Sequence, residues 1–309
     1  MIADRFTFLR SISTLACLRW ATIMLLGASV WQHFFSEPGY RAFLWDDFWT
    51  GWAVKILTGL EWRDFLMSPA ADSMVSVFTK TMAAILSLGF VAAILISPKR
   101  LWMRWFLYAS TAVLALQAFG SFLDVSYQVP MLMELSLRVG APTFLALTLT
   151  RGWTPGIWIA MIIATGLTFS GHGLYASGLG VPVPGNFVDM VMESLALTQG
   201  HALELLMVAG LLDQVIVLGM FFQLSRQWSL IYATCWGFLT AFARLTSYVR
   251  FDVIFLTSLL TYLPEFLIRT PHYLIPLALL NLDWQKLDKH DSNRIFGKRT
   301  IFRRMSAKL

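Results

Sequence analysis

Eight stretches of this chain each run for about twenty residues with few or no charges, the length an α-helix needs to cross a bilayer's hydrocarbon core. They fall near Thr14–Phe35, Ser73–Ile96, Leu101–Leu123, Met131–Leu149, Ile157–Tyr175, Thr198–Phe222, Leu230–Tyr248 and Ile254–Leu282. Inside lipid every backbone N–H and C=O must find its partner within the protein, which a helix achieves by itself. The expected fold is therefore all-α, a polytopic integral membrane bundle of about eight spans forming a single domain over residues 1–283. The last stretch contains Pro264, Glu265, Arg269, Pro271 and His272. It is expected to be a broken helix, which is tolerated at membrane depth only where protein or a wet cavity surrounds it.

Composition agrees: 57% of the residues are hydrophobic and only 14% charged, which leaves no polar segment long enough for an independent soluble domain. The net charge of +6 (24 − 18) is matched by the tail alone, where eight Lys and Arg from Lys286 onward face Asp288 and Asp291. A basic tail over residues 284–309 reads as a cytoplasmic, lipid-facing segment and not as a nucleic-acid surface. Cys17 and Cys235 both lie in apolar stretches and form no metal-type or disulfide spacing. The first apolar run is too long for a signal core and is read as an uncleaved span.

Eight spans place Arg5, Arg10, Lys99, Arg100, Arg104, Arg151, Arg226 and the tail on one side. By the positive-inside rule that side is the cytoplasm, with both termini in it. In a bacterium the membrane would be the cytoplasmic (inner) one. The loop over residues 36–72 then lies outside. Its Trp and Phe residues, mixed with Asp, Glu, Arg and Gly, suggest short interfacial helices forming a lid over the bundle mouth.

Ionisable groups within spans are costly and mark the candidate site. At roughly 1.5 Å per helical residue, independent spans carry such groups to one level near the outer leaflet. The ligand-binding candidates are His172, His201, Glu204, Glu134, Arg138 and Arg244, with His33, Arg269, His272, Asp46 and Asp47 as secondary candidates. Glu134 and Arg138 are four residues apart and share a helix face, as do His201 and Glu204, three apart. Asp213 points away from Glu204 and is expected either to make a deeper structural contact, with Gln214 as a candidate partner, or to be held protonated by its surroundings. Each pair also has a structural reading: Glu134 with Arg138 as a neutralised intrahelical pair, His201 with Glu204 as hydrogen-bonded packing between helices. Arg244 is read as snorkelling outward or neutralising a carboxylate of another span. No metal-ligand motif is present. A haem would need two facing histidines, and His172 with His201 is the pair at matched depth.

The segments CLRWATIMLLGASVWQHFFSEPGYRAFLWDD, GHGLYASGLGVPVPGNFVDM, AGLLDQVI and WGFLTAFARLTSY resemble the DoxX-like membrane proteins. That group looks related to the horizontally transferred transmembrane domain of vitamin-K-dependent carboxylases. The resemblance runs from about Leu18 to Tyr248 and implies a helical bundle that works with a quinone, either as part of a redox complex or on vitamin K hydroquinone. It assigns no individual residue.

Two readings follow. In the first, the protein is a quinone- or lipid-binding subunit of a redox system: His201 or His172 hydrogen-bonds a quinone carbonyl, Glu204 orients the imidazole, and Arg138 or Arg244 stabilises negative charge. In the second, it is a non-catalytic assembly or scaffold subunit, and the same groups are packing pairs. A lipid-linked transferase using Asp46 and Asp47, or a transporter built on the broken last helix, ranks below both.

Overall fold

The computed structural model describes residues 13–36, 38–249 and 254–282, and among these the chain is helical, without strands. The elements of the bundle are α1 (Thr14–Phe35), α2 (Pro69–Leu95), α3 (Arg104–Asp124), α4 (Val129–Glu134), α5 (Ser136–Arg151), α6 (Pro155–Ser177), α7 (Gly185–Leu195), α8 (Gln199–Phe221), α9 (Arg226–Tyr248), α10 (Phe255–Leu267) and α11 over residues 271–282. The basic tail, Arg5 and Arg10 lie outside the described residues.

Six helical segments are long and apolar enough to cross a membrane, the pattern of a multi-pass membrane protein: α1, α2, Leu101–Asp124, Val129–Arg151, α6 and α8. The predicted seventh span is a 23-residue helix, α9, but its Arg226, Thr234, Thr240, Arg244 and Ser247 make it more polar than the six. The predicted last span is broken, as expected. Ile268–Thr270 form a turn between α10 and α11, and α10 alone, 13 residues, reaches only about 20 Å. Pro271 begins the new helix, where its missing N–H and fixed φ cost nothing.

Local chemistry sets the ends. Pro69 and Pro155 occupy the first helical positions of α2 and α6, and the Thr154 hydroxyl caps α6 by accepting from the Ile157 N–H. The fourth span divides at Leu135 into α4 and α5. Within α5, Pro142 has no N–H to offer the Arg138 carbonyl four residues back.

Helix α1 packs between α2 and α5, α6 between α4, α5 and α8, and α9 between α8 and α10, while α10 returns to α1. The main apolar core fills one end of this ring. It holds Leu18, Leu25, Leu86, Leu107, Leu145, Met161, Leu230, Ile275 and Ala278, from the starts of α1, α3, α6 and α9 and the last parts of α2, α5 and α11. Leu203, Met207, Val208, Leu211, Val215 and Leu218 of α8 are exposed, an outer face suited to lipid.

The segment between α1 and α2 folds into short helices over Arg41–Leu44, Trp52–Thr58 and Trp62–Leu66 with an irregular turn at Asp47–Gly51. Tyr40, Phe43 and Leu44 pack on Val75, Phe78 and Phe119 of α2 and α3, and an Arg41–Asp72 ion pair of 3.1 Å ties the segment to α2. It covers the ends of α2 and α3. None of its residues beyond Ser36 lines either of the two large cavities described below.

Candidate functional site

At the end of the bundle opposite the apolar core, five elements converge on one polar cluster: Glu134 closes α4, Arg138 lies in the first turn of α5, His172 near the end of α6 and Arg244 near the end of α9, while Arg269 and His272 flank the break before α11. Glycine makes the approach close enough. A Cβ on Gly171 would stand 2.6 Å from both the Glu134 amide nitrogen and the Pro130 carbonyl oxygen. The bare backbone of α6 therefore lies against α4 and sets His172 beside Glu134. Likewise a Cβ on Gly237 would stand 2.5 Å from the His272 carbonyl oxygen, so α9 and α11 touch backbone to backbone.

Within the cluster His172 Nε2 lies 3.7 Å from Glu134 Oε1. The His172 ring meets that of His272 edge-on, with centroids 5.3 Å apart. Arg269 Nη1 donates to both the carbonyl and the carboxylate of Glu265, at 2.8 and 2.7 Å. Gln32 Nε2 from α1 donates to the other Glu265 oxygen at 2.5 Å, closing the ring of helices. Arg244 Nη1 donates to the Thr240 carbonyl one turn earlier at 2.6 Å and rests 3.9 Å from Met190 Sδ of α7. Arg138 forms no hydrogen bond or ion pair among the described residues, and its Nε is buried without a partner.

Two cavities open onto this cluster. One of about 690 Å³ is lined by Gln32, Arg244, Tyr248, Glu265 and Arg269; the other, about 550 Å³, by Glu134, Arg138, Tyr175, Phe187 and Arg269. Arg269 and Asn186 border both, so they are two lobes around one guanidinium. A narrower slot of about 50 Å³ runs inward past His172, His272, Arg244 and Asp213. The buried Arg138 Nε, Arg269 Nε, His172 Nε2, His272 Nε2 and Tyr175 hydroxyl have no hydrogen-bond partner among the described residues. Each unmade bond of this kind costs about 1–3 kcal/mol, and five of the ten such atoms among the described residues lie at this cluster.

The other predicted residues lie elsewhere. His201 and Glu204 are exposed on α8, His201 bonded to Thr198 at 3.0 Å; neither lines the cavities, because only Ala202, Leu206, Gly210, Asp213 and Met220 of α8 turn inward. His201 accordingly does not face His172 as a haem pair would require. His33 is buried but fully used. Its Nδ1 donates to the Ser29 carbonyl at 2.7 Å, so in the neutral ring Nε2 accepts from the Tyr40 hydroxyl at 2.8 Å. Burial pushes the Tyr40 phenol well above its usual range, which keeps that proton in place. Asp46 caps a turn in the segment between α1 and α2 by accepting from the Phe48 and Trp49 amides, and Asp47 is exposed. Asp213 contacts Tyr232, whose hydroxyl donates to it at 2.9 Å; Gln214 instead bonds Ser170. Glu134 and Arg138 do not form the predicted intrahelical pair, because the break at Leu135 takes them out of one continuous helix and Glu134 turns to His172. Glu265 and Gln32 also belong to the cluster, although depth along a span does not single them out. The i,i+4 spacing of Glu265 and Arg269 was the available signal for the first.

Among the described residues no group of three or more His, Cys, Asp or Glu is assembled as metal ligands would be. No family model, curated protein or solved structure matches this chain.

Proposed function

We propose that the protein is a multi-pass protein of a bacterial cytoplasmic membrane that binds an amphipathic, lipid-soluble molecule, a quinone or a lipid, with its polar end in the two-lobed cavity. In this reading α9 and the broken α10–α11 segment complete eight passes, both termini are cytoplasmic, and the cavity lies toward the outer leaflet. The carrying observation is the set of unpartnered buried polar atoms around Arg138, Arg269, His172 and His272. A pocket for such a ligand needs an apolar slot with a few directed polar anchors, and the Trp31, Phe35, Leu260 and Tyr262 side chains beside the charged floor provide the slot. A quinone among lipid-soluble candidates, and service in a redox complex, rest on the resemblance to DoxX-like proteins.

The test is mass spectrometry of the organic extract from protein purified in mild detergent, comparing wild type with Arg269→Gln at equal folded amount. A quinone or single lipid species enriched in the wild type and lost in the variant supports the reading. Identical bulk phospholipid from both would move the assignment to an assembly or scaffold role, to be followed through co-purifying proteins.

A further inference from the structure

The cluster's fixed charges do not balance. Among the groups packed on one another, Arg138, Arg244 and Arg269 contribute three positive charges against two negative ones on Glu134 and Glu265, leaving one in excess while the histidines are neutral; two further carboxylates stand apart, Asp213 bonded to Tyr232 in the inner slot and the exposed Asp124 at the 550 Å³ lobe. Arginine does not relieve the imbalance by losing its proton, and an uncompensated charge away from water is among the costliest features a protein can carry. The imbalance also has an address. Arg269 is held by Glu265, and Arg244 by the Thr240 carbonyl, but Arg138 has no partner among the described residues, while its side chain lines the 550 Å³ lobe.

One wall of that lobe favours an anion as well, while the exposed Asp124 carboxylate lines another. Val183, Pro184, Asn186 and Phe187 line the first, so it faces the N-terminus of α7, an 11-residue helix whose N-cap Pro184 supplies no side-chain acceptor. The first-turn N–H groups and the helix dipole favour an anion there. A neutral quinone carbonyl would leave the charge uncompensated. A phosphate-type oxyanion would offset it and match the planar guanidinium fork with paired acceptors.

Resting on the reading above, we infer that the polar end of the ligand is a phosphate-type oxyanion, brought by the headgroup of an acidic phospholipid, and that Arg138 receives it in the lobe between α5, α6 and the start of α7. The acyl chains stay in the bilayer. The headgroup is the part the cavity recognises; phosphatidylcholine carries the same phosphodiester but pairs it with its own choline cation, so it does not offset the site's charge and is held less well.

The experiment uses the full chain in phosphatidylcholine nanodiscs doped with phosphatidylglycerol, and in parallel with ubiquinone. Lipid retained through detergent exchange is quantified by mass spectrometry, and the thermal unfolding midpoint is measured. Wild type should retain phosphatidylglycerol over phosphatidylcholine by about tenfold or more, the scale expected for a desolvated charge partner. Arg138→Gln should lose that preference while its midpoint in pure phosphatidylcholine stays level or rises, since an unmatched charge has gone. If Arg138→Gln does not fold, Arg138→Lys keeps the charge without the fork and should show a reduced preference. Inorganic phosphate that competes off phosphatidylglycerol confirms the oxyanion and keeps the headgroup as its source. Inorganic phosphate that alone raises the midpoint, with phosphatidylglycerol adding nothing, retains the oxyanion site but overturns the lipid as its source. Equal retention of both lipids in wild type, or an unchanged preference in the Arg138 variants, overturns the inference. If ubiquinone is nevertheless retained, the lipophilic pocket stands with a neutral ligand. If nothing is retained above bulk lipid, the binding reading falls with it.

Discussion

Glu134 and His172 face each other across the α4–α6 contact with 3.7 Å between carboxylate oxygen and ring nitrogen. That separation is too long for a direct hydrogen bond and short enough for a charge pair or a bridging water. The two residues lie far apart in the chain and meet because Gly171 removes the side chain that would hold their helices apart. The pair joins two helices at the site: a ligand atom entering between them would be shared by an acceptor and an imidazole.

Coupling between these two residues is measurable. Glu134→Gln and His172→Ala should each lower the unfolding midpoint, and the double variant should lose less than the sum, with an interaction energy of about 1 kcal/mol as for residues in one polar network. Thermal unfolding of the four proteins in one detergent supplies the cycle. Strict additivity would show that the two groups do not communicate.

Gly171→Ala tests the packing that creates the contact. The new methyl group would meet backbone atoms of α4 at 2.6 Å, and backbone cannot rotate away, so a loss of about 1–3 kcal/mol is expected. Gly156→Ala serves as the control, because a Cβ there meets nothing within 4 Å and should change stability by less than about 0.5 kcal/mol. Equal midpoints for the two variants would contradict the close approach.

His201→Ala and Glu204→Ala should leave ligand retention unchanged and stability within about 0.5 kcal/mol of wild type, since both side chains are exposed on α8. Mass spectrometry of co-purified lipid is the readout. Loss of ligand in either variant would return these residues to the site.

The contrast between His172 and His201 shows what the sequence made legible. Depth along a span can be counted, and the counting brought Glu134, Arg138, His172, Arg244, Arg269 and His272 to one level, where the structure assembles them. Which way a side chain points around the helix is a different matter. Helix α8 is apolar nearly all round, so no stripe marks its packed face, and depth alone would turn His201 inward. The same limit applies to Glu134 and Arg138: their i,i+4 spacing presumes one continuous helix, and neither a proline nor a glycine marks the interruption at Leu135. The division of the last predicted span is readable from Pro271, which begins a new helix, whereas Pro264 sits inside α10 without ending it. Counting spans was less secure, because α9 spends part of its apolar length on Thr240, Arg244 and Ser247 facing the cluster and α7.

His33 and Tyr40 form a separate structural unit between α1 and the segment that follows it. Tyr40→Phe would leave the buried His33 Nε2 without its donor and should cost about 1–3 kcal/mol, with no change in retained ligand. Unchanged stability would mean that water replaces the hydroxyl, and loss of ligand would extend the site to this segment.

Glu265 is where the broken helix is tied into the bundle, holding Gln32 of α1 on one carboxylate oxygen and Arg269 on the other. Replacing it with glutamine keeps the shape but removes the charge that offsets Arg269. The side chain is 37% exposed, so solvent screening keeps the cost to about 1–2 kcal/mol, below that of a fully buried pair. The larger effect should be on selectivity. With Glu265 neutral the cluster holds three positive charges against Glu134 alone, and phosphatidylglycerol retention should rise above wild type by several-fold. Arg269→Gln should move it the opposite way. A Glu265→Gln protein that binds less acidic lipid than wild type would show that the carboxylate serves the ligand directly, and that the excess positive charge is not what selects it.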